Sequence, residues 1–206
     1  MTYSTINSKI IDQVKAIVGD AYVTSDAETL SNYGHDETED LIYLPEVVVK
    51  PRVAEEIAEV MKLANSKRIP VTPRGAGTGL SGGALPVHGG ISLSMERFNE
   101  ILYIDERNLQ AAVEPGVINE VFQNAVKEKG LFYPPDPASK GSCFLGGNVA
   151  ESSGGPKCVK YGTTKDYILN LQVVLPTGEI IYTGANTLKN STGYNLTQLV
   201  VGSEGT

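Results

Sequence analysis

Residue types that often carry chemistry are scarce in this chain of 206 residues, which has only two cysteines and two histidines. Cys143 and Cys158 have neither the C-x-x-C spacing of a redox pair nor the spacing of a zinc site, so we expect idle thiols. His35 opens the charged run HDETED, which has no helical period and is typical of a solvated loop. His88 likewise has no second His, Cys, Asp or Glu at the spacing of a metal-binding motif, so we expect no metal site in this chain.

Positive charge and long apolar runs are lacking as well. Asp and Glu number 24 against 17 Lys and Arg, which gives a net charge of −7. This balance excludes the basic face that a nucleic acid or an anionic membrane surface requires. No segment approaches the roughly 18 apolar residues of a membrane span, and the N-terminus lacks the basic and apolar regions of a signal peptide. We therefore expect a cytoplasmic protein, free or peripheral to the membrane in a complex, that is not an integral membrane protein.

Glycine, in contrast, is abundant, and its densest run is PRGAGTGLSGG at 73–83. Gly77, Gly79 and Gly82 match the dinucleotide code G-x-G-x-x-G, but the following GALPVHGG cannot supply the helix that this code requires. The P-loop spacing is also present, but Gly83-Ala84 replaces the required Lys and Ser/Thr. Two interpretations stay open here, a plain surface turn and a loop whose N–H groups hold a phosphate or pyrophosphate.

Apolar periodicity predicts the elements around this loop. The predicted helices and strands are a helix at 10–18 that ends at Gly19, a strand at 47–49, a helix at 57–64, and strands at 69–72 and 90–94. They form a βαβ unit with parallel strands, and the glycine run begins at the end of its second strand. Farther along we expect a hairpin at 101–114, a helix at 118–125, and a hairpin at 168–183 whose turn is Pro176-Thr177-Gly178.

A second segment rich in Gly, Pro and Ser runs from Tyr133 to Asp166. It is too long for an ordinary connection, and long structureless segments in compact domains tend to be functional. The prolines restrict its backbone, while Gly146-Gly147 and Gly154-Gly155 permit close approach of a flat ligand. We therefore expect a wall for a planar ring with polar edges, with a mobile loop as the alternative.

Several motifs, in order along the chain, carry a family resemblance. They are PRGAGTGLSGG, PPDP, GGNVAE, SGGPK, KYGTTKD, the PTGE turn and the final VGSEGT. Together they resemble the FAD-binding domain of the vanillyl-alcohol oxidase/p-cresol methylhydroxylase (PCMH-type) superfamily, and within it the branch of glycolate oxidase catalytic subunits and D-lactate dehydrogenases. The implied fold is α+β: a helix and lead-in at 1–44 precede an FAD-binding domain at 45–206, with a parallel lobe at 45–95 and an antiparallel lobe at 96–206.

The resemblance also implies where FAD would bind. In the family the first loop wraps the pyrophosphate, the second segment lies along the pyrophosphate and isoalloxazine, and the final motif closes on the cofactor. The implied contacts in the first loop are Pro73, Arg74, Gly75, Ala76, Gly77, Thr78, Gly79, Leu80, Ser81 and Gly82. Those in the other segments are Pro135, Asp136, Ser139, Gly146, Gly147, Asn148, Ser152, Ser153, Gly154, Gly155, Tyr161, Gly162, Gly202 and Glu204.

Departures from the family pattern refine these expectations. Several relatives carry a histidine in or beside the first loop that links covalently to the flavin, whereas this chain has Thr78 and Leu80 there. The resemblance therefore implies non-covalent FAD, which a truncated chain need not retain. Ser152-Ser153 replaces the Asn-Ala expected before the second glycine pair, and Asn195 stands where Asp is common.

The resemblance implies a flavoprotein 2-hydroxy-acid dehydrogenase or oxidase, of glycolate or D-lactate type. In such enzymes hydride passes from the substrate Cα to flavin N5, while a base of a C-terminal cap domain takes the hydroxyl proton. Since nothing in this sequence matches that cap, we expect an inactive N-terminal part with no catalytic residue. A quinone, an iron–sulfur partner subunit or an electron-transferring flavoprotein would accept the electrons. The competing functions are a flavin-holding electron-transfer module and a nucleotide-binding module without flavin.

Overall fold

A four-stranded sheet and three α-helices form the first of two units into which the described residues, 3–205, divide in the computed structural model. Unit 1 contains the described residues up to Arg97 together with Val173–Ile181. Its elements are α1 (Ser8–Val18), β1 (Val23–Thr24), α2 (Ala27–Asn32), β2 (Val47–Val49), α3 (Ala54–Lys67), β3 (Val71–Arg74) and β4 (Ile91–Ser94). A 3₁₀ turn at Asp20–Tyr22 joins α1 to β1.

The strand order is β1-β2-β4-β3, with β2 and β3 both parallel to β4 and β1 antiparallel to β2. The predicted parallel strands are thus confirmed, but β2 and β3 are not neighbours, because β4 lies between them. Burial explains its central place, since all its residues, including Ile91 and Leu93, are buried, as in strands covered on both faces.

One apolar core holds unit 1 together. The predicted first helix is confirmed as α1, which Asn7 caps and Gly19 ends. It buries Ile10, Val14 and Val18 against the valines of β2 and the apolar face of α3. Helix α1, which lies before position 45, therefore belongs to the same core as the sheet.

Unit 2 contains Phe98–Gln172 and the described residues from Tyr182 onward. Its elements are the antiparallel hairpin β5 (Ile101–Asp105) and β6 (Gln110–Val113), and the helices α4 (Asn119–Glu128), α5 (Leu145–Glu151), α6 (Cys158–Tyr161) and α7 (Leu196–Val200). The hairpin of β7 (Gln172–Val174) and β8 (Ile180–Tyr182) has residues in both units. Both predicted hairpins are confirmed, and so is the predicted α+β class.

The second glycine-rich segment is not structureless, which corrects the sequence prediction. It contains α5, α6 and a 3₁₀ turn at Thr164–Tyr167. Helix α5 forms although two of its residues are glycines, which are poor helix formers. Leu145 and Asn148 are buried, and the Gly146 N–H donates to the Pro115 carbonyl at 2.7 Å. Tertiary packing thus outweighs the low intrinsic propensity of this sequence.

Within residues 3–205, none of the helices combines the length and the apolar character needed to cross a membrane.

Candidate functional site

The glycine loop of unit 1 begins where the sequence predicts it. Strand β3 ends at Arg74, and no helix occurs between that residue and the start of β4 at Ile91. Most residues of the loop are half-buried, whereas the Leu80 side chain is 76% exposed. The predicted contacts from Pro73 to Gly82 therefore form one continuous stretch at the carboxyl end of a parallel strand, where open α/β sheets bind ligands.

Arg74 is the charged centre of this loop. Only 7% of the residue is exposed, and its guanidinium donates two long hydrogen bonds of 3.4 Å, to the Asn32 and Tyr33 carbonyls. The guanidinium carbon lies 5.3 Å from the centre of the Tyr33 ring. Arg74 forms no ion pair within residues 3–205. Burial lowers its pKa, and the charges of Asp36 and Glu96, which lie beyond ion-pair distance, oppose that shift. An arginine stays protonated in proteins, so the loop covers a positive charge.

The structure separates two glycines that the sequence treats alike. Gly77 has φ +73°, so the backbone requires glycine there, and a Cβ would also displace Nη2 of Arg74. Gly79 has no positive φ, and a Cβ there would meet no atom within 4 Å. The protein itself therefore gives no reason for glycine at position 79, whereas a ligand packed against the backbone would give one.

The HDETED run departs from the sequence prediction at Asp36. We expect a solvated loop there, but Asp36 is only 8% exposed, and its Oδ1 accepts a hydrogen bond from the Thr38 N–H at 2.9 Å. The next residue, Glu37, donates its N–H to the Gly79 carbonyl at 3.1 Å. The other charged residues of the run are exposed, as predicted, so only Asp36 departs from the prediction. The bond between Glu37 and Gly79 is a long-range contact that composition does not reveal.

In unit 2, three side-chain amides hold the predicted Pro135 segment. Asn119, the first residue of α4, is fully buried and donates to the Pro135 carbonyl at 3.2 Å. Gln123 donates to the same carbonyl at 2.8 Å and to the Tyr133 carbonyl at 3.2 Å. Asn148 of α5 in turn donates to Asn119 at 3.0 Å. The Asn148 amide, predicted to contact the cofactor, thus bonds inside the protein and joins α5 to this segment.

Asp136 follows the amide cluster and is bound by two lysines. Lys157 Nζ lies 2.9 Å from Oδ2, and Lys140 Nζ lies 3.0 Å from Oδ1. The hydrogen bond from Lys157, followed by that from Lys140, lowers the pKa of the Asp136 carboxyl. The Asp136 main chain packs on Gly155, where φ is +130° and a Cβ would collide with the Asp136 carbonyl. Asp136 thus forms two ion pairs, whereas Arg74 has no carboxylate within ion-pair distance among residues 3–205.

Helix α5 contains Gly147, which, like Gly79, is a glycine that the protein's own structure does not require. A Cβ at Gly146 would come within 2.6 Å of Pro115, so packing requires glycine there. At exposed Gly147 a Cβ would meet nothing within 4 Å, and φ is not positive. The final motif docks on this helix, because Gly202 and Glu204 donate their N–H groups to carbonyls of α5 at 2.9 and 3.0 Å. Unit 2 therefore brings together the predicted residues of α5 and of the final motif.

Most other predicted residues of unit 2 follow the C-terminal end of α5, whereas Ser139 precedes this helix. Ser152 is its left-handed C-cap, and its hydroxyl lies 3.1 Å from that of Thr163. The Ser153 carbonyl accepts hydrogen bonds from the Thr164 N–H and hydroxyl at 3.0 and 2.7 Å. Gly154 follows, Tyr161 ends α6, and Gly162 caps it with φ +84°. The Ser139 carbonyl accepts hydrogen bonds from the Ser142 and Cys143 N–H groups, both at 2.8 Å.

Sequence reasoning missed Tyr33 and Asn119. Tyr33 lies 41 residues before Arg74, and no local pattern relates the two positions. Asn119 stands in an apolar stretch of the sequence, which suggests a buried amide that needs a hydrogen-bond partner. The sequence does not show which residue that partner is.

These features fit a ligand that carries phosphate. A buried guanidinium without a carboxylate partner is suited to an oxyanion, because Arg binds phosphate through charge-assisted hydrogen bonds. Gly79 and Gly147 leave the backbone open to close approach. Among residues 3–205 no cluster of His, Cys, Asp and Glu has the arrangement of a metal site.

Comparison with known proteins agrees with these features. The chain is 48% identical over 174 residues to glycolate oxidase subunit GlcD of Bacillus subtilis, covering 84% of this chain and 37% of that protein. It is 44% identical over 208 residues to a D-lactate dehydrogenase of Anaerostipes hadrus, covering 99% of this chain and 43% of that protein. The chain thus spans about two fifths of the length of these relatives.

Solved structures and a family match complete the assignment. Substrate-bound p-cresol methylhydroxylase superposes with a TM-score of 0.80 at 25% identity, covering 94% of this chain and 40% of that one. An alkyldihydroxyacetonephosphate synthase superposes with a TM-score of 0.85, covering 100% of this chain and 39% of that one. Its sequence identity to this chain is 24%, so the likeness is one of fold. The FAD binding domain family matches residues 45–184. The chain therefore belongs to the FAD binding domain family, with the PCMH-type fold that its motifs predict.

Proposed function

We propose that this chain binds FAD without a covalent link, and that it is the cofactor-binding part of a dehydrogenase or oxidase of 2-hydroxy acids. The observation that carries the binding is the pair of glycines, Gly79 and Gly147, that neither the backbone nor the packing requires. Arg74 supports it with a buried positive charge beneath the first loop. When bound, FAD supplies the acceptor for a hydride from the substrate carbon.

The proposed roles of the residues follow from their contacts. N–H groups of the loop at 75–82 bind the diphosphate, and the Arg74 guanidinium balances its negative charge. In unit 2, helix α5 and the Pro135 to Ser139 segment lie along the cofactor, and the motif at 202–204 supports α5. Asp136 fixes Lys140 and Lys157 as ion-pair partners. Non-covalent attachment is inferred from Thr78 and Leu80, which stand where the family resemblance places a linking histidine in several members.

The substrate class is proposed from the relatives, which include a glycolate oxidase subunit and D-lactate dehydrogenases. No residue of this chain is proposed as catalytic, because the exposed His35 and His88 lie in neither of the two glycine-rich segments. The His88 ring packs against Tyr3 instead, with ring centres 5.1 Å apart. The proposal includes an iron–sulfur or electron-transferring flavoprotein subunit as electron acceptor. It also includes a cytoplasmic location.

Spectroscopy of the purified protein tests the cofactor. We expect the protein to bind added FAD with a shift of its visible spectrum, and to release all flavin into the supernatant after denaturation. Flavin that stays with the precipitated chain would contradict the non-covalent link. Binding of ADP but not of FAD would instead support a nucleotide module without flavin, and oxidation of a 2-hydroxy acid by the chain alone would place a catalytic base within it.

Gly79→Val tests the loop more sharply than a change at Gly77. Because a Cβ at position 79 meets no protein atom within 4 Å, the variant should keep the stability of the parent. Overpacking against the ligand should raise the Kd of FAD about tenfold to a hundredfold. Titration of both proteins with FAD, alongside urea unfolding, checks the prediction. Unchanged affinity in a folded variant would favour a plain surface turn.

A further inference from the structure

A segment that precedes the matched family region contacts the glycine loop. The family region begins at residue 45, whereas α2 ends at Asn32 and Tyr33 is its C-cap. The carbonyls of these two residues accept the hydrogen bonds of Arg74, each at 3.4 Å. Farther along the same segment, Glu37 donates its N–H to the carbonyl of Gly79 at 3.1 Å. The segment thus reaches both the cation and the backbone of the loop.

Tyr33 is the side chain of this segment that packs on Arg74, and its hydroxyl is held in place. It donates a hydrogen bond to Glu96 Oε1. Ser94 donates to the same oxygen at 3.0 Å, and Lys50 Nζ lies 2.8 Å from it. Ser94 ends β4 and Lys50 follows β2, so two neighbouring parallel strands supply the groups that hold Glu96. The Tyr33 ring therefore has a defined orientation.

The direct polar contacts of Arg74 are weak, which gives weight to this ring. Both of its hydrogen bonds are long, and burial opposes its charge, while the carboxylates of Asp36 and Glu96 favour the charge only from beyond ion-pair distance. The face of an aromatic ring attracts a guanidinium, and more strongly when the pair is shielded from water. The carbonyls at the end of α2 carry partial negative charge that favours a cation in the same place.

We propose that Tyr33 is a positioning residue of the cofactor site, whose ring and carbonyl hold the Arg74 guanidinium beneath the glycine loop, where its charge attracts the diphosphate of the ligand. This inference rests on the proposed binding of FAD. It places a necessary part of the site in the segment before residue 45, outside the matched family region. Deleting that segment cannot test it, because α1 supplies Ile10, Val14 and Val18 to the core of unit 1.

A double-mutant cycle between Tyr33 and Arg74 provides the test, with FAD titrated into the whole protein. Tyr33→Leu removes the ring and should raise the Kd of FAD about tenfold. Arg74→Gln should raise it at least as much, and the double variant should bind no more weakly than Arg74→Gln alone. Tyr33→Phe keeps the ring and should restore affinity to within about threefold of the parent.

Tyr22→Leu is the matched control, because the Tyr22 ring packs on the Arg97 guanidinium at 3.4 Å in the same unit. It removes the same kind of contact away from the loop, so FAD affinity should not change. If Tyr33→Leu fails to fold, Tyr33→Met replaces it as the ring-free variant, because the longer methionine fills more of the space left by the tyrosine ring. Independent, additive effects of Tyr33 and Arg74, or parent-like affinity of the ring-free variants, would overturn this inference alone. A parent protein that binds no FAD would overturn the proposed function and this inference with it.

Discussion

The two glycine-rich segments, one in each unit, have similar compositions but different structures. The loop at 75–83 is irregular and covers the buried cation of Arg74. The segment at 133–166 carries helix α5, and its buried Asp136 forms ion pairs with two lysines. Composition thus predicts that both segments are functional. It does not predict whether each forms a loop or a helix, nor the sign of the charge buried there.

The comparison also shows that glycines occur for different reasons. Gly77 and Gly155 have positive φ and would collide with protein atoms, so the fold requires them. Gly146 is required by packing against Pro115 alone. Gly79 and Gly147 satisfy neither condition, and each segment contains one of them. Substitutions at these positions separate the needs of the fold from those of the ligand.

The largest effect is expected from Gly155→Ala. The new Cβ would collide with the Asp136 carbonyl at a φ of +130°, which side chains rarely adopt. We expect the free energy of unfolding to fall by roughly 3 kcal/mol or more. Urea unfolding followed by circular dichroism measures it. A loss below about 1 kcal/mol would show that this main-chain contact is not tight in solution.

A smaller effect of opposite sign is expected from Gly147→Ala. This exposed helical position has no neighbour for the new methyl group, so better helix propensity should raise the free energy of unfolding by about 1 kcal/mol. The same methyl group should weaken FAD about tenfold if the ligand lies along α5. Unfolding without ligand and titration with FAD give the two values. A stabilised variant with full affinity would remove Gly147 from the site.

The smallest effect is expected from Asp136→Asn and depends on pH. Lys157 and Lys140 lower the pKa of Asp136 in the folded protein, so its stabilisation is complete above the unfolded pKa of about 3.9. It is lost as the pH falls below that value. The variant should therefore be less stable than the parent at pH 7, and the difference should shrink below about pH 4.

Urea midpoints of both proteins across this pH range check the prediction. Glu59→Gln is the matched control, since it removes an exposed ion pair with Lys62 at 2.8 Å, and such pairs contribute little. A difference between Asp136→Asn and the parent that grows toward acid pH would contradict the assigned ion pairs.

Local patterns determined much of this fold. The apolar spacing of Ile10, Val14 and Val18 predicts α1, and Gly19 predicts its end, because these signals act within a few residues. The Pro-Thr-Gly turn predicts the β7–β8 hairpin in the same way. The motifs in order along the chain resemble those of an FAD-binding domain, and the family match confirms that resemblance.

Only the tertiary structure decided the features that depend on distant residues. Strand β4 lies between β2 and β3, α5 forms through its packing on Pro115, and Asp36 is buried within an otherwise exposed charged run. Arg74 is held by Tyr33, although neither residue carries a local signal of the other. The physical reason is that propensity and periodicity report energies of neighbouring residues, whereas these contacts gain their energy across the fold, where burial and packing outweigh local preference.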